Sequence, residues 1–320
     1  MPRKARLDAP GTLHHVMIRG IEKRKIVNDQ KDRKDFVTRL GHLAKDTDTA
    51  IFAWALLNNH AHLLLRSSDA GISLFMRRML TGYAVNYNLR HKRHGHLFQN
   101  RYKSIICEKD SYFMELVRYI HLNPLRANLV RTLTELDTYP WCGHSVLIGK
   151  RKNDWQDRDY VLKWFGDKEG TARKVYRNYV KKGSEAGRRP ELVGGGLVRS
   201  LGGWSQVKSM RRAELSELHD ERILGSGDFV EQIIKEASQK VKYQFPKNGH
   251  LQAVETFIKK LCQKEKININ ELQSGSRRKQ ISKIRSQLAV SLVEKYGISL
   301  AETARRLGVS TSAISKIMNR

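Results

Sequence analysis

The stretch Trp54–Ser68, WALLNNHAHLLLRSS, places His60 and His62 one residue apart within an otherwise apolar run. Side chains alternate across a strand, so the two imidazoles point to the same face of the strand that this run predicts. They are either a pair of metal ligands or two polar side chains on a wet strand face. Asn58 and Asn59 favour a turn, so the histidines begin the second strand of a predicted hairpin.

Strand and helix patterns alternate on both sides of this hairpin. The sequence predicts four strands, HHVMIRG (14–20), AIFAWALLNN (50–59), HAHLLLRS (60–67) and YKSIICEK (102–109). It also predicts three helices, at 29–47, at 71–93 and from 110 up to Pro124. The order β-α-β-β-α-β followed by a helix is typical of an α+β fold with a ferredoxin-like antiparallel sheet.

The rest of the chain divides into two parts. Residues 140–180 have helical patterns and are expected to be peripheral, and the basic, glycine-rich stretch 181–204 is the best linker. That stretch lacks the GK[ST] of a phosphate loop, so we expect no nucleotide cofactor. The predicted domains are therefore 1–145, an intermediate region of peripheral helices and linker at 146–244, and a mainly helical domain at 245–320.

Charge is the most informative feature of the composition. Sixty Lys and Arg stand against 32 Asp and Glu, a net charge of +28, so nucleic acid is the expected partner. The alternatives are a merely highly charged surface and an anionic membrane, for which the chain has no basic amphipathic helix or lipidation signal. Without a membrane-spanning run or the apolar core of a signal peptide, a cytoplasmic protein is expected. The three widely spaced cysteines are expected to be ordinary thiols.

A later stretch supplies groups that could complete a site at the histidine pair. In ELVRYIHLNPLRA, residues 115–127, Tyr119 and Asn123 are four residues apart and therefore share a helix face. An Asn oxygen beside two imidazoles suits Mg²⁺ or Mn²⁺, and the Tyr119 hydroxyl would be a nucleophile next to that ion. Taken singly, Tyr119 is better explained as a core or interface aromatic, and Asn123 as an ordinary helix end before proline.

Four sequence blocks in series resemble one known family. PGTLHHVMIRG (10–20), LLNNHAHLLL (56–65), HLFQNRYKS (96–104) and YIHLNPLRANLV (119–130) are similar to the blocks of the HUH single-tyrosine transposases, and most of all to the REP-associated tyrosine transposases. The resemblance covers about residues 1–145. It implies that His60, His62 and Asn123 hold a divalent ion. It also implies that Tyr119 cleaves single-stranded DNA near hairpins through a 5′-phosphotyrosine, which needs no ATP for rejoining.

Neighbouring residues have less certain roles. Arg118 and Arg126 are candidate cations that would favour the phenolate of the nucleophile. Tyr112 is the rival nucleophile, but no ligand-like residue follows it by one turn. His121 is expected to be structural, and His15 on the first strand either flanks the site or packs in the core.

A basic stretch with interleaved aromatics precedes the fourth strand. HKRHGHLFQNRYK, residues 91–103, contains Phe98 and Tyr102 and ends with the cations Arg101 and Lys103. Such a stretch suits single-stranded DNA, because cations bind phosphates and aromatic rings stack on bases. A solvated loop with anchoring aromatics is an equally good interpretation.

The last 22 residues, SLAETARRLGVSTSAISKIMNR, have the pattern of a helix-turn-helix. Ser299 and Glu302 form a capping box, Gly308 makes the turn, and Ser310 caps the second helix. The residues of that second helix expected to face bases or phosphates are Thr311, Ser312, Ser315, Lys316 and Asn319. A two-helix hairpin without a DNA role is the alternative.

The carboxy-terminal layout over about residues 245–320 resembles the DNA-binding domain of the replication initiator DnaA. A basic turn with Arg277, Arg278 and Lys279 precedes a long amphipathic helix, and DNA contacts are expected there. The initiator's signature before its recognition helix is replaced by GVSTSAIS, so binding to initiator boxes is not expected.

The sequence thus predicts a DNA transposase that uses Mg²⁺ or Mn²⁺, binds single-stranded and hairpin DNA, and binds duplex DNA through its carboxy-terminal domain. It does not choose between a monomer and a homodimer, and it indicates no membrane partner. Three alternatives stay open: a non-catalytic DNA-binding regulator derived from a transposase, a nicking enzyme of replication initiation or plasmid transfer, and an RNA-binding protein.

Overall fold

The computed structural model describes residues 10–69, 71–99, 102–185, 220–241 and 249–318, together with Leu7 and Leu192. The chain forms two compact units. Unit 1 comprises Met1–Phe75 and Phe98–Val241, and unit 2 comprises Met76–Leu97 and Lys242–Arg320. The predicted start of the carboxy-terminal domain, residue 245, thus lies close to the point where the chain re-enters unit 2. The segment at 76–97 belongs to unit 2 although it lies within the first third of the sequence.

Unit 1 is built on a five-stranded sheet. Its strands are β1 (Leu13–Arg19), β2 (Ala50–Leu56), β3 (His60–Arg66), β4 (Lys103–Cys107) and β5 (Ile223–Leu224), in the order β2-β3-β1-β4-β5. All neighbours are antiparallel except β4 and β5, which are parallel. The first four strands and their order confirm the predicted α+β class with its antiparallel sheet. The short strand β5 was not predicted.

The helices of unit 1 follow the predicted alternation. They are α1 (Gln30–Asp46), α3 (Lys109–His121), α4 (Asn123–Arg126), α5 (Leu133–Thr138), α6 (His144–Leu147), α7 (Arg158–Lys163), α8 (Glu169–Glu185) and α9 (Gly227–Val241), while α2 (Gly71–Arg90) begins in unit 1 and continues in unit 2. The α1 boundaries match the prediction closely, because the Asp29 carboxylate caps the first turn through the Asp32 amide, 2.9 Å away.

The helices after residue 140 are not peripheral, contrary to expectation. Val161 of α7 and Tyr176 and Val180 of α8 are completely buried in the same core as Phe52 of β2 and Phe113 of α3. The reason is that α8 is amphipathic and its apolar face packs against α3. Helix α8 therefore contacts α3, and α7 contacts both α8 and β2. Most of the glycine-rich stretch 181–204 lies outside the described residues.

The helix predicted to run up to Pro124 ends slightly earlier, and a second short helix follows it. Helix α3 ends at His121, and Leu122 is both its carboxy-terminal cap and the residue before α4. The physical reason is that Pro124 has no N–H to continue the hydrogen-bond series and restricts the residue before it. Leu122 still has right-handed helical angles, with φ −82° and ψ −8°, so Asn123 lies about one turn beyond Tyr119.

Unit 2 is helical in its described carboxy-terminal part. Its helices there are α10 (Gly249–Lys264), α11 (Ile269–Gln273), α12 (Lys279–Glu294), α13 (Leu300–Leu307) and α14 (Thr311–Met318). Ile284, Leu288 and Leu292 of α12 form the centre of a core that also includes Leu307 and Ile314. The buried Arg285 guanidinium donates to the carbonyls of Leu272 and Ser276 and so joins α11 and the following turn to α12.

The helices of the described ranges were also compared with the dimensions of a bilayer. None of them combines the length and the apolar character that crossing a membrane requires.

Candidate active site and nucleic-acid interface

The histidine pair lies at the beginning of β3, a strand with a neighbour on each side. In the pairing with β1, His62 is opposite Met17 and His60 is opposite Arg19. The preceding turn is fixed by backbone hydrogen bonds, from the Gly20 amide to Asn59 at 2.9 Å and from the Ile26 amide to the carbonyl of Asn58 at 2.8 Å. The predicted strand and turn are therefore confirmed, and both imidazoles are on one sheet face.

Each imidazole of the pair is held through its Nδ1 atom. Nδ1 of His60 is 2.7 Å from the Asn59 side-chain oxygen, and Nδ1 of His62 is 3.0 Å from Nε2 of His15. The other ring nitrogen of each, Nε2, is thereby left for a further partner. The two ring centroids are 5.2 Å apart. This arrangement is the one that histidine ligands of metals adopt, with one nitrogen oriented by a hydrogen bond and the other coordinating.

Tyr119 brings its ring to the same place from α3. Its ring centroid is 5.8 Å from that of His62 and 5.9 Å from that of His15, both in edge-to-face geometry. The ring is half-buried, and the guanidinium carbon of Arg126 is 5.4 Å from its centroid. The structure thus brings the predicted nucleophile within van der Waals range of the histidine pair and places one of the two candidate cations beside it.

The second candidate cation, Arg118, is committed elsewhere. Its Nη2 atom is 2.7 Å from both carboxylate oxygens of Glu115, and its guanidinium carbon lies 4.1 Å from the ring centroid of Tyr179 in α8. The prediction that Arg118 assists Tyr119 is therefore wrong. Consecutive residues of a helix point about 100° apart, so a neighbour in sequence is not a neighbour in the site.

Asn123 is buried and its amide group is oriented. The Nδ2 atom donates to the carbonyl of Tyr119 at 2.9 Å and to that of Ile120 at 3.4 Å, which satisfies the end of α3. The side-chain oxygen is the atom that these bonds leave as an acceptor. Tyr112, the rival nucleophile, lies two turns earlier on α3 and, like Tyr119, is half-buried against the core.

His121 is structural, as predicted, and it belongs to a buried polar cluster. The Tyr176 hydroxyl lies 2.7 Å from Nδ1 of His121 and 2.7 Å from Nδ1 of His144, whose Nε2 is 2.9 Å from the Asp137 carboxylate. Arg177 donates to the other oxygen of this carboxylate at 2.8 Å. We call these five residues the Tyr176 cluster. It fixes the end of α3 two residues from Tyr119.

Burial keeps the imidazoles of the site neutral. It lowers the pKa of His15 from 6.5 to about 4, with the positive charge of Lys103 adding to the effect. It lowers the pKa of His60 to about 4 in the same way, with the charge of Arg19 contributing. The pKa of His62 is lowered further, by burial first and then by its two histidine neighbours and Arg19. Neutral imidazole is the form that binds metals.

The predicted ligand set fits a divalent ion by its donor chemistry. His60 and His62 each offer Nε2, and the carboxamide oxygen of Asn123 adds a hard donor of the kind that Mg²⁺ and Mn²⁺ accept. Within the described ranges, no group of three His, Cys, Asp or Glu side chains is placed to hold a metal. The predicted ligand set is not a group of that kind, because only His60 and His62 belong to those residue types and the third ligand is the Asn123 carboxamide.

Two residues that hold the site were missed or left undecided by sequence reasoning. Asn59 was interpreted only as a turn former, although it also orients His60. His15 was left between a flanking and a packing role. Its position two residues before Met17 and four before Arg19 places it on the same strand face as the histidine pair once the register is known. Strand alternation in the sequence indicates which residues of β1 share a face with His15. It does not give the register between β1 and β3, which is needed to place His15 beside the histidine pair.

The structure describes only part of the basic stretch 91–103 that was predicted to bind single-stranded DNA. Arg101 lies outside the described residues. Lys103 is exposed at the beginning of β4, opposite Met17, and its charge acts on His15. A cation therefore lies on the strand next to the histidine face, where a nucleic-acid phosphate could be bound.

In unit 2 the helices α13 and α14 lie in the stretch for which a helix-turn-helix was predicted. The Ser299 hydroxyl accepts from the Glu302 amide at 3.3 Å at the beginning of α13, and the Ser310 hydroxyl accepts from the Ala313 amide at 3.2 Å at the beginning of α14. Gly308 follows α13 with a left-handed φ of 65°. The Glu302 carboxylate binds arginines of its own helix instead of closing the capping box.

Most of the predicted duplex contacts are accessible. On α14, Thr311, Ser312 and Lys316 are exposed and Ser315 is half-buried, while Asn319 lies outside the described residues. In the basic turn Arg277, Arg278 and Lys279 are exposed. Arg278 donates to Glu271 at 2.8 Å, which partly neutralises it.

Comparison with known proteins supports the transposase resemblance. Residues 11–123, roughly a third of the 320-residue chain, match the family described as Transposase IS200 like. The matched range includes the histidine pair, Tyr119 and Asn123.

One solved structure is also similar to part of the chain. The structure of a REP-associated tyrosine transposase bound to a REP hairpin is similar at 15% identity, over 49% of this chain and 94% of that chain, with a TM-score of 0.39. No curated protein matches the chain.

Proposed function

We propose that unit 1 is a metal-dependent tyrosine transposase that cleaves and rejoins single-stranded DNA near hairpins. The observation that carries the proposal is the convergence of His60, His62 and Tyr119, whose rings come from β3 and α3 and lie within 6 Å of their neighbours. The IS200-like family match and the net charge of +28 support it. The hairpin-bound transposase structure suggests hairpin DNA as the first substrate to test.

In this proposal the residues of the chain have distinct tasks. His60, His62 and the Asn123 oxygen would hold Mg²⁺ or Mn²⁺, and such an ion would supply Lewis-acid stabilisation of the charge on the phosphate oxygens. Asn59 and His15 orient the two imidazoles, and the Tyr176 cluster fixes the helix end that carries Tyr119. Arg126, beside the phenol ring, would stabilise negative charge that develops on the attacking oxygen.

The covalent step balances without a co-reactant. Tyr119 loses its phenolic proton and its oxygen forms a bond to phosphorus. The bond from phosphorus to the 3′ oxygen of the preceding nucleotide breaks, and that oxygen takes up a proton as a 3′-hydroxyl. The 5′-phosphotyrosine keeps the energy of the phosphodiester, so a second 3′-hydroxyl can attack it and rejoin the strand.

The decisive experiment looks for this covalent adduct. The full-length protein is incubated with end-labelled single-stranded hairpin DNA and Mg²⁺ or Mn²⁺, and labelled protein is sought on a denaturing gel. We expect an adduct with the native chain, none with Tyr119→Phe and none in the presence of a chelator. Tyr112→Phe is the matched control on the same helix and should retain the adduct.

Two outcomes would contradict the proposal. An adduct that persists in Tyr119→Phe would move the nucleophile elsewhere. A native protein that binds the hairpin but forms no adduct with either ion would favour the non-catalytic regulator.

We further propose that unit 2 binds duplex DNA with α14 in the major groove. Three exposed side chains on α14 support this, those of Thr311, Ser312 and Lys316. So do the exposed Arg277, before α12, and Lys279, the first residue of α12. A duplex-binding unit linked to a cleaving unit would raise the local concentration of the target strand.

Salt dependence tests the duplex proposal. Lys316→Ala should weaken binding of full-length protein to a duplex and lower the slope of log affinity against log salt by about 1, the value for one lost phosphate contact. Lys260→Ala on α10, equally exposed, is the control and should leave the slope unchanged. Equal slopes for native protein and Lys316→Ala would remove α14 from the interface.

A further inference from the structure

His15 is a completely buried imidazole that the proposed reaction does not use directly. It lies on β1 with 0% exposure, and its ring stacks on that of His62 with centroids 5.3 Å apart. Its Nδ1 atom is 2.9 Å from the carbonyl oxygen of Leu192, and its Nε2 atom is 3.0 Å from Nδ1 of His62. Both ring nitrogens of His15 are therefore engaged, one of them by a predicted metal ligand.

These two hydrogen bonds have a fixed direction. A carbonyl oxygen only accepts, so the Nδ1 atom of His15 carries a proton and donates it to Leu192. In a neutral imidazole, which has a single N–H, the other nitrogen then has a lone pair. Nε2 of His15 must accept from His62, whose proton is therefore on Nδ1. The lone pair of His62 is on Nε2, on the side of the ring away from His15.

From these two hydrogen bonds we infer that His15 is a positioning residue. It selects the tautomer of His62 that can coordinate through Nε2, and it holds the His62 ring in place for the divalent ion. The inference rests on the proposed function for the identity of the site. A free histidine would exchange between its two tautomers and rotate about χ2, and either change would remove the lone pair from the site. His60 has its own orienting group in Asn59, so the two ligands are fixed independently.

The same strand offers a matched control. His14 is also completely buried, but it points to the other face of β1, where its ring nitrogens bond the hydroxyls of Thr12 at 2.8 Å and Ser104 at 2.9 Å. His14→Phe removes a buried, hydrogen-bonded imidazole from β1 without touching the chain of bonds to His62. Any effect specific to the site should be absent in this variant.

The test measures the tautomer of His62 in metal-free, full-length protein by ¹⁵N NMR, with the His62 signals assigned by their loss in His62→Gln. In native protein we expect a protonated Nδ1 and an unprotonated Nε2. His15→Phe should give a mixture of tautomers and bind Mn²⁺ about 10-fold to 100-fold more weakly, as is usual when a partner behind a ligand is lost. His15→Gln, whose amide oxygen can accept from His62, should restore most of the native behaviour, and His14→Phe should match native protein.

Two results would overturn the inference. One is a native protein in which Nε2 of His62 is protonated, a measurement that needs no variant and therefore does not depend on whether His15→Phe folds. The other is a folded His15→Phe with native tautomer and native Mn²⁺ affinity. A native protein with the expected tautomer but no covalent adduct would refute the proposed function and leave the role of His15 intact.

Discussion

The turn of the proposed duplex-binding unit provides a sharp test of the structure. Gly308 has a φ of 65°, and a Cβ atom built on it would be 2.6 Å from the Cα of Gln273 and closer still to the carbonyl of that residue. Gly275 also has a positive φ, of 78°, but its Cβ would meet only the Gly308 carbonyl oxygen, at an ordinary 3.5 Å. Gly275→Ala therefore reports the cost of backbone strain alone, whereas Gly308→Ala reports backbone strain together with steric overlap.

The expected magnitudes follow from these two contributions. A left-handed conformation costs an alanine roughly 1–2 kcal/mol, and the stiffer unfolded chain gives back about 0.4–1 kcal/mol, so Gly275→Ala should lower the free energy of unfolding by about 1 kcal/mol. Gly308→Ala adds overlap with backbone atoms that cannot rotate away, which costs a further 1–3 kcal/mol or so. We expect a total of about 2–4 kcal/mol at Gly308.

Hydrogen exchange measured by mass spectrometry on the full-length protein reports this difference locally. Amides of α13 and α14 should exchange between about 30-fold and several hundredfold faster in Gly308→Ala, since 1.4 kcal/mol corresponds to a factor of ten. In Gly275→Ala the increase should be about 10-fold or less. Amides of β1 and β3 in unit 1 serve as the internal reference and should be unaffected.

Equal exchange rates in the two variants would refute the reasoning. They would mean that the turn does not approach Gln273 closely, so that α13 and α14 are not held against α11 as the structure has them. A Gly308→Ala variant as stable as native protein would, in addition, exclude the left-handed turn itself.

Three further predictions concern unit 1. Tyr176→Phe leaves the buried ring nitrogens of His121 and His144 without their shared hydroxyl and should cost roughly 2–4 kcal/mol in urea unfolding, whereas Tyr179→Phe, at a half-buried hydroxyl, should cost less than half of that. Burial lowers the pKa of His144 below 6.5 in the folded protein, so below about pH 6.5 the unfolded chain binds a proton that the folded protein does not. The free energy of unfolding should therefore decline between pH 7.5 and 5 in denaturant unfolding curves, and an increase would contradict this. Lys103→Ala should weaken single-stranded DNA binding and lower the salt slope by about 0.7, while an unchanged slope would exclude a phosphate contact.

Local pattern was sufficient to predict much of unit 1. Strand alternation and helix periodicity are properties of neighbouring residues, so β1 to β4 and α1 were placed within a few residues of their observed ends. The same is true of the helix-turn-helix, where Ser299, Gly308 and Ser310 signal their positions by cap and turn chemistry. The strand β5 has only two residues and exists because β4 accepts it at its edge, which no local pattern reveals.

The site was predictable in its identities but not in its surroundings. His60, His62 and Tyr119 could be selected because their residue types and order are distinctive. The link from His15 to Leu192 spans 177 positions and depends on the register of β1 and the path of a distant segment. Arg118 and Arg126 were indistinguishable in sequence, and only the direction of each side chain shows that one meets α8 and the other Tyr119.

The position of β3 between two partner strands has a consequence for how such a protein can change its target. Both imidazoles are carried by a segment hydrogen-bonded along each edge, and a slip by a single residue would turn them to the opposite side of the sheet. If the proposed function holds, we expect new target preferences to arise from the surrounding helices and loops, because substitutions there need not move the histidine pair. Because β3 is fixed by its two neighbouring strands, the same fold could then acquire new targets while His60 and His62 keep their positions.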